Sequence, residues 1–143
     1  ADVGQVYEEI KKEGAEVVSI STDTQFVHYA WQSSERMLKG INYPMGADPA
    51  HILSKTFGVY DEATGLSLRG TFIIDPDGKL FASEVNYFPV GRNSNELLRK
   101  IRAFKFVREN PAQVCPAKWE PGKKTLTPGK DIVGRVGDEL EAS

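Results

Sequence analysis

Arg69-Gly70-Thr71-Phe72-Ile73-Ile74-Asp75-Pro76-Asp77-Gly78-Lys79 is an extended run broken by a turn. Arg69 to Asp75 predicts a strand, Asp75-Pro76-Asp77-Gly78 a tight turn with proline at its second position, and Lys79 to Phe88 the partner strand. Downstream, Asn93 as N-cap and Glu96 three residues on open a helix whose apolar side carries Leu97, Ile101 and Phe104; Asn110-Pro111 ends it. Upstream, Val3, Val6, Tyr7 and Ile10 recur at helical spacing and Gly14 supplies a stop. Glu16 to Ser21 reads as a short strand buried on both faces of a parallel sheet. Thr22, Asp23 and Thr24 offer caps for a helix from Gln25 to Lys39, with Phe26, Ala30 and Met37 along one side. An extended piece then reaches Asp48-Pro49, a brief helix passes through Ile52, Leu53 and Phe57, and Asp61 to Gly65 forms a surface loop. The order helix, strand, helix, short strand, helix, hairpin, helix describes an α/β layer.

Composition narrows the function. The 143 residues fit one domain with a real core. Eighteen Lys and Arg against 20 Asp and Glu leave a net charge of -2, which argues against nucleic acid as a partner. No apolar run approaches the ~20 residues that cross a bilayer, and no signal peptide precedes Ala1, so no membrane partner is expected. His28 and His51, the two histidines, are too few and too far apart for a metal centre. A single cysteine excludes a disulfide-scaffolded secreted domain and suits a reducing compartment, hence the cytoplasm.

That cysteine lies in Val114-Cys115-Pro116-Ala117-Lys118-Trp119, after the last helix and before a tail holding Pro121, Pro128 and several glycines. The expected division is therefore a domain over residues 1–110 and an extended, mobile arm over 111–143, closing on the solvated acidic tail Asp138-Glu139-Leu140-Glu141. A thiol on a mobile arm can exchange disulfides with a partner; alternatively it is an idle reduced cysteine. With no second cysteine, any disulfide needs a thiol from elsewhere.

Four segments resemble, in order and spacing, the typical two-cysteine peroxiredoxins of the bacterial alkyl hydroperoxide reductase peroxidase type. They are Ser21 to Trp31 (STDTQFVHYAW), Arg69 to Asp75 (RGTFIID), Val90-Gly91-Arg92 and Val114 to Trp119 (VCPAKW). The resemblance extends over essentially the whole chain. It implies a thioredoxin-like α/β fold whose first strands, together with the peroxidatic cysteine and the threonine before it, fall outside this sequence. A chain so constituted would be inactive alone. The uncapped helix at Ala1 agrees with sequence having been lost before it.

Carried over residue by residue, the resemblance implies a thiol-dependent peroxidase without metal, haem or flavin of its own. Arg69, directly before the Gly-x-Phe-Ile-Ile-Asp strand, is either a surface ion-pair arginine or the active-site guanidinium. Peroxide chemistry favours the second, because a fixed positive charge lowers a thiol's pKa and stabilises the leaving oxygen. Arg92 matches the family's Gly-Arg near the reactive cysteine. Cys115 becomes the resolving thiol, with Trp119 anchoring the arm on a neighbouring subunit. His28 is read as a hydrogen-bonded structural residue, Trp31 as packing and assembly. The implied partners are further copies, as a dimer and a decameric ring, with thioredoxin or a flavoprotein disulfide reductase as electron donor. Asp61 to Gly65 replaces the Gly-Gly-Leu-Gly insertion of the readily over-oxidised members, and no Tyr-Phe follows Trp119, so the chain resembles the robust bacterial type. The rival reading is a redox-inert thioredoxin-fold oligomerisation or holdase module.

Overall fold

A computed structural model describes residues 2–141. They fall into two compact units, one running through Ser94 and the other beginning at Asn95.

In the first unit, helix α1 (Asp2–Lys12) buries Val6, Tyr7 and Ile10 on one side. Gly14 ends it at φ 80°, a left-handed conformation open to glycine, and the Ala15 N–H donates back to the Ile10 carbonyl at 3.2 Å. The Tyr7 hydroxyl then fastens the helix to the following segment by donating to Glu16 Oε1 at 2.8 Å.

Strand β1 (Ser19–Ser21) pairs in parallel with β2 (Met45–Ala47). The strand is shorter than expected, and it is not buried on both faces: Val18 is 57% and Ile20 45% exposed. The reason is that the sheet has two strands, so β1 has a neighbour on one edge only among the described residues.

Helix α2 (Gln25–Ser34) is capped by Thr24, whose hydroxyl accepts the Val27 N–H. It stops well before Lys39. Ser33 and Ser34 turn their hydroxyls back onto the Tyr29 and Ala30 carbonyls, and Glu35 leaves the helical region at φ -84°, ψ 116°. The expected apolar side of α2 is also not its buried side. Phe26 is 76% exposed, and the buried residue is His28.

Asp48 is buried just ahead of helix α3 (Ile52–Thr56), and its carboxylate accepts from the Leu53 N–H (3.2 Å), the Ser54 N–H (2.8 Å) and the Ser54 hydroxyl (2.8 Å). It does for this short helix what an N-cap side chain would. The loop around Asp61 to Gly65 sits between two short antiparallel strands, β3 (Tyr60–Asp61) and β4 (Leu66–Ser67).

The hairpin forms as the sequence suggests. Strand β5 (Arg69–Ile74) pairs antiparallel with β6 (Leu80–Asn86), Arg69 facing Asn86 and Thr71 facing Glu84. The Gly78 N–H closes the turn on the Asp75 carbonyl at 3.0 Å, and the register shifts between Ile73 and Ile74.

The second unit is built on helix α4, which spans Ser94–Glu109 and so begins in the first. Its Leu98 is buried, and Asn110 ends it with both its backbone and its side-chain N–H on the Phe106 carbonyl. The arm expected after α4 carries local structure of its own. Val114 and Leu126 form a two-way antiparallel bridge (N···O 2.8 and 3.1 Å) that closes residues 114–126 into a loop. A short 3-10 turn (Lys130–Ile132) and helix α5 (Val136–Glu141) follow, so the acidic end is helical. Prolines and glycines make this segment irregular, and it shapes itself around the buried Trp119.

Trp119 is 4% exposed and packs on Phe106 of its own chain, with ring centroids 4.9 Å apart. Its indole N–H donates to the Lys123 carbonyl at 2.9 Å. The side chain is thus sequestered inside the subunit rather than offered to a neighbour. Cys115 is half-buried accordingly.

Candidate active site

Strand alternation puts Arg69 and Thr71 on one face of β5. After β6, residues 87–93 fold back over that strand's open end. The Val90 N–H donates to the Tyr87 carbonyl at 3.0 Å, and the Asn86 side-chain amide donates to the Gly91 carbonyl at 3.0 Å. This shape returns Arg92 to β5. Its Nη1 donates to the Gly70 carbonyl and to Thr71 Oγ1, the latter at 3.1 Å. Arg69 is fixed from the same loop, its Nε donating to the Phe88 carbonyl at 3.3 Å.

Two guanidinium groups therefore occupy one end of the hairpin. Desolvation against the strand lowers the Arg92 pKa most, the neighbouring Arg69 charge lowers it further, and Glu84, across the ladder from Thr71, opposes the shift. Arg92 nonetheless remains charged at neutral pH. The backbone tethers leave N–H groups on each guanidinium to aim at an anion or a developing negative charge.

Cys115 belongs to the second unit. Its Sγ lies 4.0 Å from the Ala103 carbonyl on α4. Burial pushes the thiol pKa up, and the nearby Arg99 charge partly offsets this. Burial thus favours the protonated thiol.

His28 lies inside the first unit. Its Nε2 is 2.6 Å from the Ser21 hydroxyl, which also donates to Asp23 at 2.8 Å, and its ring stacks against Trp31 at 6.4 Å. This is the hydrogen-bonded structural role expected of it, although Nδ1 is buried without a partner. No group of three or more His, Cys, Asp or Glu among the described residues is placed to hold a metal ion. No helix among them is long and apolar enough to cross a membrane.

Two residues of these sites were not singled out from the sequence. Thr71 could have been found, since period two places it beside Arg69. Arg99 could not, because its partner lies 20 residues along the chain.

Residues 1–83 match the AhpC/TSA family, and residues 103–136 match the C-terminal domain of 1-Cys peroxiredoxin. An alkyl hydroperoxide reductase C of Staphylococcus aureus is 52% identical over 135 residues, 94% of this chain and 71% of that protein. The crystal structure of Enterococcus faecalis AhpC superposes with a TM-score of 0.78 at 41% identity, over 80% of this chain and 69% of that one. Reduced Plasmodium vivax 2-Cys peroxiredoxin gives 0.85 at 25% identity, over 91% and 69%. The thioredoxin-like peroxiredoxin fold expected from the sequence is thus the fold of its structural neighbours, and the chain belongs to the AhpC/TSA family of peroxiredoxins.

Proposed function

We propose that the full-length protein is a thiol-dependent peroxidase that reduces hydrogen peroxide and small organic hydroperoxides. The observation that carries this reading is the pair of tethered guanidiniums, Arg69 and Arg92, at one end of the β5–β6 hairpin in a chain of this family. Relatives named alkyl hydroperoxide reductase C support the substrate class.

The chemistry follows from charge. A peroxidatic thiolate attacks one peroxide oxygen, the O–O bond breaks, and the other oxygen leaves as an alcohol or water after taking up a proton. The sulfur is oxidised to a sulfenic acid. Arg69 and Arg92 hold the thiol ionised and stabilise charge as it grows on the departing oxygen. Cys115 is the sole cysteine of this sequence, so the attacking thiol comes from a part of the protein outside it. Cys115 is then the resolver: its sulfur displaces water from the sulfenic acid of another subunit, forming an S–S bond. A dithiol donor, thioredoxin or a flavoprotein disulfide reductase, returns the two electrons.

In this reading residues 1–110 form the peroxidase domain and 111–143 the segment that delivers the resolving thiol in the cytoplasm. Assembly into dimers and a decameric ring is supported by the apolar surface that α2 and β6 leave exposed. Phe26 and Tyr29 are 76% and 74% exposed on α2, and Phe81 and Val85 of β6 and Tyr87 just after it are exposed as well.

The test is oxidation of the full-length protein with one equivalent of hydrogen peroxide, read on non-reducing gels. A disulfide-linked dimer should form, and Cys115→Ser should abolish it. The same dimer in the variant would remove Cys115 from the mechanism.

A further inference from the structure

The loop that carries Cys115 is closed on itself and fastened to α4. The Val114–Leu126 bridge keeps its shape, helped by Thr125 donating to Gln113 at 2.7 Å, by Gln113 donating to Thr127 at 2.8 Å and by the Trp119 indole on Lys123. None of these bonds ties it to the helix. Its fastenings to α4 include the Trp119 ring on Phe106, the weak Cys115 contact to Ala103, and Arg99.

Arg99 is set for this task. Glu96, one turn earlier, holds it in a two-point fork, with Nε at 2.6 Å from Oε2 and Nη2 at 2.8 Å from Oε1. The remaining Nη1 donates to the Trp119 carbonyl at 3.0 Å. A guanidinium held at two points has little rotamer freedom left to lose, so its third bond is made with little further ordering cost. The acceptor is a main-chain carbonyl four residues beyond Cys115, next to Lys118 at φ 61°, a backbone conformation that needs support from its surroundings.

We propose that Arg99 is a positioning residue for Cys115: with Glu96 it clips the 114–126 loop to α4, and release of that clip is the step that frees the thiol. The inference rests on Cys115 being the resolving thiol for its purpose, but not for its test. Because the bridge preserves the loop, the loop leaves as a unit once its fastenings to α4, the Arg99 bond and the Trp119 contact among them, break together. The clip also carries charge. Arg99 faces Cys115, Glu96 and Glu120, and Lys100 approaches Glu96 at 3.9 Å. Of these, the Arg99 charge is the one that counters the effect of burial on the thiol.

The experiment alkylates the reduced full-length protein with iodoacetamide from neutral to strongly alkaline pH and follows the Cys115 peptide by mass spectrometry, without peroxide. Where the thiol is protonated, the rate reports how often the loop opens; the midpoint of the pH profile reports the thiol's ionisation in the closed loop. Arg99→Gln should label about tenfold faster at neutral pH, the effect of one lost bond from a charged donor, and its midpoint should move up. Arg99→Lys should keep the wild-type midpoint, because the charge stays, while still labelling faster. Glu96→Gln, which leaves Arg99 unlocked, should give a smaller acceleration and serves if the Arg99 variants fold poorly. Neutral labelling of Arg99→Gln, or of Glu96→Gln if it is the variant that folds, within about twofold of wild type overturns the clip. A midpoint moved equally by Gln and Lys overturns the role of the charge. Since no disulfide is read, loss of Cys115 as resolver would leave this result standing, and the reverse.

Discussion

Arg92 and Thr71 are joined across the end of the hairpin, Nη1 of the first donating to Oγ1 of the second at 3.1 Å, while the same nitrogen donates to the Gly70 carbonyl. A residue of the loop after β6 thus takes its position from the backbone of β5, and the first consequence concerns Gly70. A Cβ built there would lie 2.8 Å from Phe72 Cε2 and 3.0 Å from Val59 Cγ1. Gly70→Ala should therefore cost about 1–3 kcal/mol through overpacking and displace the carbonyl that holds Arg92. The full-length variant should melt lower and react with peroxide more slowly. A normal rate at reduced stability would show that Arg92 tolerates the shift.

Arg69 is exposed and makes a 3.3 Å bond to the Phe88 carbonyl. Arg69→Ala should alter stability by no more than about 1 kcal/mol. If it is the active-site guanidinium, the peroxide step should slow by ~100-fold or more, comparable to loss of an oxyanion donor. Rapid mixing beside a melting curve separates the two roles. A rate unchanged within a small factor makes Arg69 a surface residue.

Trp119 buries its ring on Phe106 within the subunit. Trp119→Ala should cost about 3 kcal/mol, at the lower end for a buried tryptophan because half-exposed Phe106 can settle into the space. Limited proteolysis should then cut within residues 114–126 at protease levels that leave the native loop intact. An unchanged cleavage pattern would mean that the bridge alone holds the loop.

The Tyr7–Glu16 bond makes stability depend on pH at both ends of the scale. The Val17 N–H, then the Tyr7 hydroxyl, hold the Glu16 carboxyl below its ordinary value. Its contribution is present above the unfolded-state pKa and is lost as pH falls through the folded one. Tyr7 is pushed up from 10.0 to about 12, chiefly by its bond to Glu16. That contribution is complete below the unfolded value and disappears as pH rises from 10.0 to about 12. The melting temperature of wild type minus that of Tyr7→Phe should thus be constant near neutrality and shrink on the alkaline side. A flat difference into strong alkali would contradict the bond.

The elements legible in the sequence are those set by neighbouring residues. Asp75-Pro76-Asp77-Gly78 makes a turn by its own side chains and φ preferences, so the hairpin and its position follow. Gly14 stops α1 because it tolerates φ 80°, and Asn110-Pro111 stops α4 because proline has no N–H to offer. Where the sequence misled, a distant partner decided. Helical spacing alone set Phe26, Ala30 and Met37 along one side of a helix to Lys39, but α2 ends at Ser34 and is held to its unit through His28 and Ser21, leaving Phe26 in water.

The sequence by itself determined the α/β element order, the hairpin and the candidate functional residues, two arginines and a single thiol. Tertiary structure alone decided that Arg92 returns 22 residues to Gly70 and that Trp119 turns a Pro- and Gly-containing tail into a folded loop holding Cys115 against α4. Local propensity acts over a few residues, whereas burial of an indole and placement of a guanidinium depend on surfaces that meet only after the chain has folded.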